Sequence, residues 1–207
     1  MIELLHIDCM EYMKGVPDKF FDLAIVDPPY GIGEDGGAQR TRGSKRTNGI
    51  KKNWDSSIPE ASYFFELKRI SKNQIIWGAN YFAMEATKSF VIWDKLDYGS
   101  DFADCEFAWT SFNSAAKIYK QSRQSNQGTE NNPRFHPTQK PIKLYKWLLK
   151  NYAKEGDRIF DSHGGSMSIA IACHDLKFDL VLCEIDEDYY KAGVKRFDNH
   201  KKQLTIF

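Results

Sequence analysis

Ala24-Ile25-Val26-Asp27-Pro28-Pro29-Tyr30-Gly31 decides the fold of this 207-residue chain. The apolar run from Phe21 to Val26 reads as a buried parallel strand, and it stops at a carboxylate, two prolines and an aromatic ring. Neither proline can donate to a sheet ladder, and both hold their neighbours in extended geometry. Asp27 and Tyr30 are therefore presented stiffly at the carboxyl end of a strand, where open α/β sheets place their ligands. A carboxylate, a backbone carbonyl freed from the sheet and a π-face are what a planar base bearing an amino group would need.

A second stretch repeats the arrangement late in the chain. Ile159-Phe160-Asp161-Ser162-His163-Gly164-Gly165-Ser166 reads as a strand running into a glycine-rich turn and then a helix. The next strand, Phe178 to Cys183, ends at Glu184, 23 residues after Asp161. A nucleoside cofactor in a Rossmann-like half needs this layout: glycines let it approach the backbone, and an acid on the next strand takes the ribose hydroxyls. The phosphate-binding G-x-G-x-x-G is absent and no Walker lysine follows the glycines. The layout suits a nucleoside whose charged group is not a pyrophosphate, and S-adenosylmethionine fits that description.

The remaining elements alternate. Strands are expected at Ile2 to Ile7, Gln74 to Trp77, Ser89 to Trp93, Cys105 to Thr110 and Arg158 to Phe160. Helices are expected at Cys9 to Met13, Tyr63 to Ile70, Ile142 to Tyr152, Ser168 to Asp175 and Asp188 to Asn199. Lys117 to Pro133 reads as a loop or hairpin. Strands alternating with helices imply a mostly parallel α/β sheet. Hydrophobic content of 42%, charged content of 28% and a net charge of +1 belong to a globular protein, not a disordered one. The four cysteines have no CxxC spacing, which argues against a zinc site and a disulfide framework. No signal peptide and no apolar run of membrane-spanning length is read, so the expected location is cytoplasmic.

Asp27-Pro28-Pro29-Tyr30, then His136-Pro137-Thr138-Gln139-Lys140-Pro141, then Asp161 through Ser166, in that order, resemble the amino-group DNA methyltransferases of the permuted β class. The resemblance spans nearly the whole chain, from Asp8 to the helix around Tyr190. It implies a Rossmann-like S-adenosylmethionine-dependent methyltransferase fold with helices on both faces of the sheet and a circularly permuted motif order. It also implies one such domain over residues 1–202. In that family Asp27 and the Pro28 carbonyl would accept hydrogen bonds from the target amino group, with Pro29 completing the turn and Tyr30 stacking on a flipped base. Asp8, Asp27, His136, Thr138, Lys140, Asp161, His163, Gly164, Gly165, Ser166 and Glu184 would line the cofactor. Asn80 matches a family segment near the target pocket. The family's turn usually carries another glycine where this chain has Met167, a side chain able either to crowd the cofactor or to point into the sheet. An aspartate at position 27 is more usual with adenine N6 than with cytosine N4, so adenine is the expected target. Cytosine-N4 or RNA methylation, or a non-catalytic DNA-binding relative, are the alternatives.

Two segments, residues 33–53 and 113–134, are expected to read double-stranded DNA. The first holds Arg40, Arg42, Lys45, Arg46, Lys51 and Lys52 with no acid between Gln39 and Asn53, and the second adds Lys117 and Arg123. Uncompensated cations of this kind suit a polyanion. The last residues, Gln203-Leu204-Thr205-Ile206-Phe207, resemble the pentapeptide by which bacterial proteins dock on the DNA polymerase sliding clamp. Monomer and homodimer are both open.

Overall fold

The computed structural model describes residues 1–33, 52–99, 103–122, 136 and 138–203. Strand β1 (Ile2–His6) leads to Asp8, whose carboxylate accepts from the backbone N–H groups of Met10 and Glu11 and so opens α1 (Cys9–Lys14). Such a cap satisfies donors that the first helical turn leaves without partners. The apolar run becomes β2 (Phe21–Val26), buried at five of its six positions. Helix α2 (Ala61–Ile70) passes directly into β3 (Ser71–Trp77), which starts earlier than Gln74 because Ser71 to Asn73 are polar yet pair with β2. Then come β4 (Phe90–Asp94), β5 (Cys105–Thr110) and β6 (Lys117–Lys120). The chain closes with α3 (Ile142–Tyr152), β7 (Arg158–Asp161), α4 (Ser168–Leu176), β8 (Asp179–Glu184) and α5 (Glu187–Lys202).

These form one eight-stranded sheet in the order β1-β8-β7-β2-β3-β5-β4-β6. Every neighbouring pair is parallel except those of β5, which runs against both β3 and β4. Side chains alternate across the strands. Leu23 and Ile25 face a core with Leu144, Leu148 and Ile169, while Ala24 and Val26 face another with Met13, Tyr63 and Leu67. Helices therefore cover both faces, as expected.

The segment read as a loop or hairpin opens with a strand instead. β6 pairs parallel with β4, from Val91↔Lys117 to Asp94↔Lys120, and buries only Tyr119 in part, against Trp147 at 5.4 Å. Polar flanks hid it from hydrophobic periodicity. Lysines at its two ends suit an edge strand, where they discourage further pairing.

Register places the chemistry. Ala24 pairs with Phe160, Asp161 with Leu182, and His6 with Glu184. Asp27, Asp161, Glu184 and Asp8 thus stand at the carboxyl ends of four adjacent parallel strands. The strand bearing Asp27 comes before those bearing Asp161 and Glu184, which is the permuted order.

Candidate active site

Asp27 sits where β2 ends, and three groups converge on it. The Tyr30 hydroxyl donates to Oδ1 at 2.5 Å, and the Lys140 ammonium donates to Oδ2 at 2.5 Å while reaching the Tyr30 hydroxyl at 3.2 Å. Lys140 also pairs with Glu106 at 3.0 Å, and Glu106 pairs with Lys95 at 2.9 Å. The lysine side chain is 2% exposed, whereas Asp27 keeps 16% of its side chain open. The acceptor is reachable from outside and the ammonium behind it is not.

Burial pushes the Asp27 carboxyl up, Lys140 pulls it back, and Glu106 pushes it up again. Burial works against the Lys140 charge, but Asp27 and Glu106 outweigh it and hold the ammonium above the usual lysine range. Burial likewise opposes the Glu106 charge, and its two lysines more than offset that. The result is a row of two cations and two anions in which each inner member touches two opposite charges. Sequence reading missed Glu106 and Lys95. The available signal was one carboxylate inside an otherwise strand-like Cys105-to-Thr110 run.

The turn after Asp27 is held by Asp55, whose Oδ1 accepts from the backbone N–H of Tyr30 at 2.7 Å and of Gly31 at 2.8 Å. These two N–H groups, the first after the prolines, are thereby given an acceptor that the interrupted sheet ladder no longer supplies. The Tyr30 ring lies against Gly78, a residue with φ +69° whose added Cβ would fall 2.0 Å from Tyr30 Cε1. Only glycine fits there. Tyr81 stacks on the Tyr30 ring at 5.2 Å and 16°, so the ring expected to meet a base already carries one aromatic partner. Asn80, in the same turn, is exposed.

On the neighbouring strand Asp161 is buried and accepts from the backbone N–H of His163 at 3.0 Å. Among the described residues it has no ion-pair partner. Burial pushes its carboxyl well up, and the Asp27 and Glu184 charges add to this. Glu184 accepts from Gly165 N at 2.6 Å and Asp186 N at 2.8 Å, so it fixes the glycine turn from the next strand. The Ser166 carbonyl accepts from Arg196 on α5 at 2.5 Å, a second brace that sequence reading missed. His163 bonds Ser162 Oγ, which meets the Tyr63 hydroxyl, and burial lowers its pKa to about 4. The imidazole is neutral at pH 7 and its Nδ1 is engaged, consistent with a turn residue. His136 packs between Trp54 and Tyr189 beside Gly165, with Thr138 Oγ1 at 3.2 Å from its Nδ1.

Met167 answers the question its position raised. It adopts φ +57° where a glycine would be cheaper, and its side chain is fully buried. The chain turns it toward α5, where a Cβ on Gly193 would lie 2.8 Å from Met167 Sδ. It fills the core and leaves the Gly164–Ser166 turn clear.

The basic residues divide. Lys52, expected to face DNA, is bound by Asp186 at 2.6 Å and Asp188 at 2.7 Å and lies over the Tyr189 ring. Its charge is spent on the acidic first turn of α5. Lys117 is exposed on the β6 edge. Arg40, Arg42, Lys45, Arg46, Lys51 and Arg123 lie outside the described residues.

Comparison with known proteins finds relatives of both the sequence and the fold. The chain is 24% identical over 242 residues to the Type II methyltransferase M.HinfI of Haemophilus influenzae, covering 93% of this chain and 67% of that protein. It is 31% identical over 68 residues to M.HpaI of Haemophilus parainfluenzae, covering 33% of this chain and 22% of that one. The fold matches the crystal structure of the M1.HpyAVI–SAM complex, with TM-score 0.61 and 18% identity, covering 95% of this chain and all of the other. It also matches PvuII DNA methyltransferase, described as cytosine-N4-specific, with TM-score 0.61 and 12% identity over 97% and 92% of the two chains. A model of the N6/N4 DNA methylase family matches residues 76–195, which begins at the end of β3 and takes in Lys140, Asp161 and Glu184. With more than half of its length so matched, the chain belongs to that DNA methylase family.

Proposed function

We propose that this chain, as one methyltransferase unit over residues 1–202, transfers a methyl group from S-adenosylmethionine to adenine N6 in double-stranded DNA. The observation that carries this reading is the Asp27 carboxylate, partly open at the tip of β2, one strand away from the buried Asp161 carboxyl, which has no ion-pair partner among the described residues. S-adenosylmethionine supplies an electrophilic methyl group and carries positive charge, which suits a buried carboxyl without an ion-pair partner among the described residues. Asp161 and the Gly164–Ser166 turn would hold its methionine part, Glu184 its ribose and Asp8 would lie toward its base.

An exocyclic amino nitrogen is a poor nucleophile because its lone pair is delocalised into the ring. Asp27 and the Pro28 carbonyl, by accepting its N–H bonds, orient the nitrogen and stabilise positive charge as it develops there. The target must leave the stack for this contact. Its ring would then meet the Tyr30–Tyr81 pair. Arg40, Arg42, Lys45, Arg46, Lys51, Lys117 and Arg123 would bind phosphates.

Cytosine N4 is the second reading, because the same two acceptors suit either amino group and one fold neighbour is described as cytosine-N4-specific. Labelled methyl transfer to unmethylated DNA followed by nucleoside analysis separates them. Labelled N6-methyladenine is expected; labelled N4-methylcytosine would move the target, and DNA left unlabelled with cofactor bound would overturn the reading. No helix among the described residues is long and apolar enough to cross a membrane, and a cytoplasmic location belongs to this proposal. So does clamp docking through Gln203 to Phe207, whose last four residues lie outside the described ones. Retention on a bacterial clamp should vanish when those five residues are removed, and equal retention would refute it.

A further inference from the structure

We propose that Glu106 is a positioning residue for methyl transfer: by sharing the Lys140 ammonium, it loosens that cation's hold on Asp27 and leaves the carboxylate acceptor capacity for the substrate amino group. The inference rests on the transfer reaction proposed above. Asp27 has two oxygens, and both are already engaged, one by the Tyr30 hydroxyl and one by Lys140. A lysine committed to Asp27 alone would draw most of its charge and leave a weak acceptor. Glu106 approaches the same ammonium at 3.0 Å from β5, and Lys95, following β4, holds Glu106 in place at 2.9 Å.

A purely structural account of this row is weak. Buried ion pairs of this sort contribute little stability over apolar side chains of similar size. Perturbed ionisable groups gathered at the reactive end of a sheet are more often functional. Among the described residues, the titratable groups coupled to Asp27 come from several elements: Tyr30 from its own turn, Lys140 just before α3, Tyr145 on α3, Glu106 from β5, Asp161 from β7 and Tyr63 from α2. Of these, Lys140 is the cation in contact with Asp27 among the described residues, and Glu106 is the anion that shares it.

Two substitutions have opposite signs. The ionised Asp27 is the stronger acceptor and stabilises the charge developing on the amino nitrogen, so the rate falls as pH drops through its pKa. Glu106→Gln removes a negative neighbour and should move this acid limb to lower pH by about one unit, with a lower plateau because Lys140 grips Asp27 alone. Lys95→Met removes a cation from the far side of Glu106, drawing Lys140 away from Asp27, and should move the limb to higher pH. The experiment is kcat/KM against pH for wild type and both variants, with ¹³C titration of the Asp27 carboxyl in each as a readout independent of turnover. Opposite displacements in the titration and the rate support the proposal. Limbs that stay in place, or move the same way, overturn it, and Lys95→Met decides alone should Glu106→Gln not fold. A wild type without methyl transfer defeats the transfer reading instead, while the titration still tests the charge coupling.

Discussion

Asp27→Ala is expected to lower methyl transfer on the order of 10³-fold, the loss typical of removing a preorganised acceptor or donor aimed at developing charge. Binding of S-adenosylmethionine should change little, because Asp161 and the Gly164–Ser166 turn stand on a separate strand with their own braces from Glu184 and Arg196. The fold should also survive. Removing one member of a buried ion pair often strands the other at a cost of about 3–5 kcal/mol. Here Lys140 keeps Glu106 as a partner, so the row shortens without leaving a bare cation. Asp27→Asn retains a carbonyl acceptor without charge and should fall between the two, which separates hydrogen bonding from electrostatics. Turnover, cofactor titration and thermal melting of the three proteins provide the check. An alanine variant within tenfold of wild type would place the reacting group elsewhere.

The two strand ends proposed to carry the chemistry are legible because they obey strong local rules. Two prolines end β2 at Asp27, and glycines end β7 after Asp161, so each carboxylate announces a backbone that must leave the sheet. Helix α1 was legible from its Asp8 cap, and α3 from its spaced Leu144, Leu148 and Tyr152. What stayed hidden depends on partners distant in sequence. Glu106 looks like an ordinary strand residue until the antiparallel pairing of β5 with β4 brings it to Lys95, and α3's approach brings it to Lys140. Lys140 is expected from the sequence to line the cofactor, whereas its ammonium is buried on Asp27. Asp55 follows a long basic segment with no periodicity, and nothing local tells that it caps the Tyr30 turn. Lys52 shows the same effect in reverse: a charge counted as free in sequence is neutralised by an acidic helix start far along the chain. The direction of the Met167 side chain is hidden in sequence because only the packing of α4 on α5 creates the space above Gly193.

Affinity for S-adenosylmethionine is expected to fall as pH is lowered, with Asp161, proposed above to hold its methionine part, setting the fall. Its carboxyl is pushed well above the ordinary range in the free protein by burial first, then by Asp27 and Glu184. A cationic ligand favours the ionised form, so the bound pKa lies below the free one. Between these two values binding must release a proton, and affinity drops about tenfold per pH unit on the way down. Above the free value it is flat. The same shift has a consequence for folding. A carboxyl whose folded pKa is raised adds stability below the unfolded value, and this is lost as pH rises through the folded pKa. At higher pH the protein therefore carries the cost of burying the Asp161 charge. Asp161→Asn should consequently melt no lower than wild type at neutral pH, yet bind cofactor about 10- to 100-fold more weakly, as expected for losing a charged hydrogen bond of roughly 1.5–3 kcal/mol. Its affinity should also lose most of the pH slope. Glu184 is raised by burial too, but both its oxygens accept backbone N–H groups and its substitution would loosen the glycine turn as well. Weaker binding together with unreduced stability is thus the signature of Asp161. Isothermal titration across pH in two buffers of different ionisation enthalpy counts the released proton directly. A variant that binds as tightly as wild type with the same slope would remove Asp161 from the cofactor site.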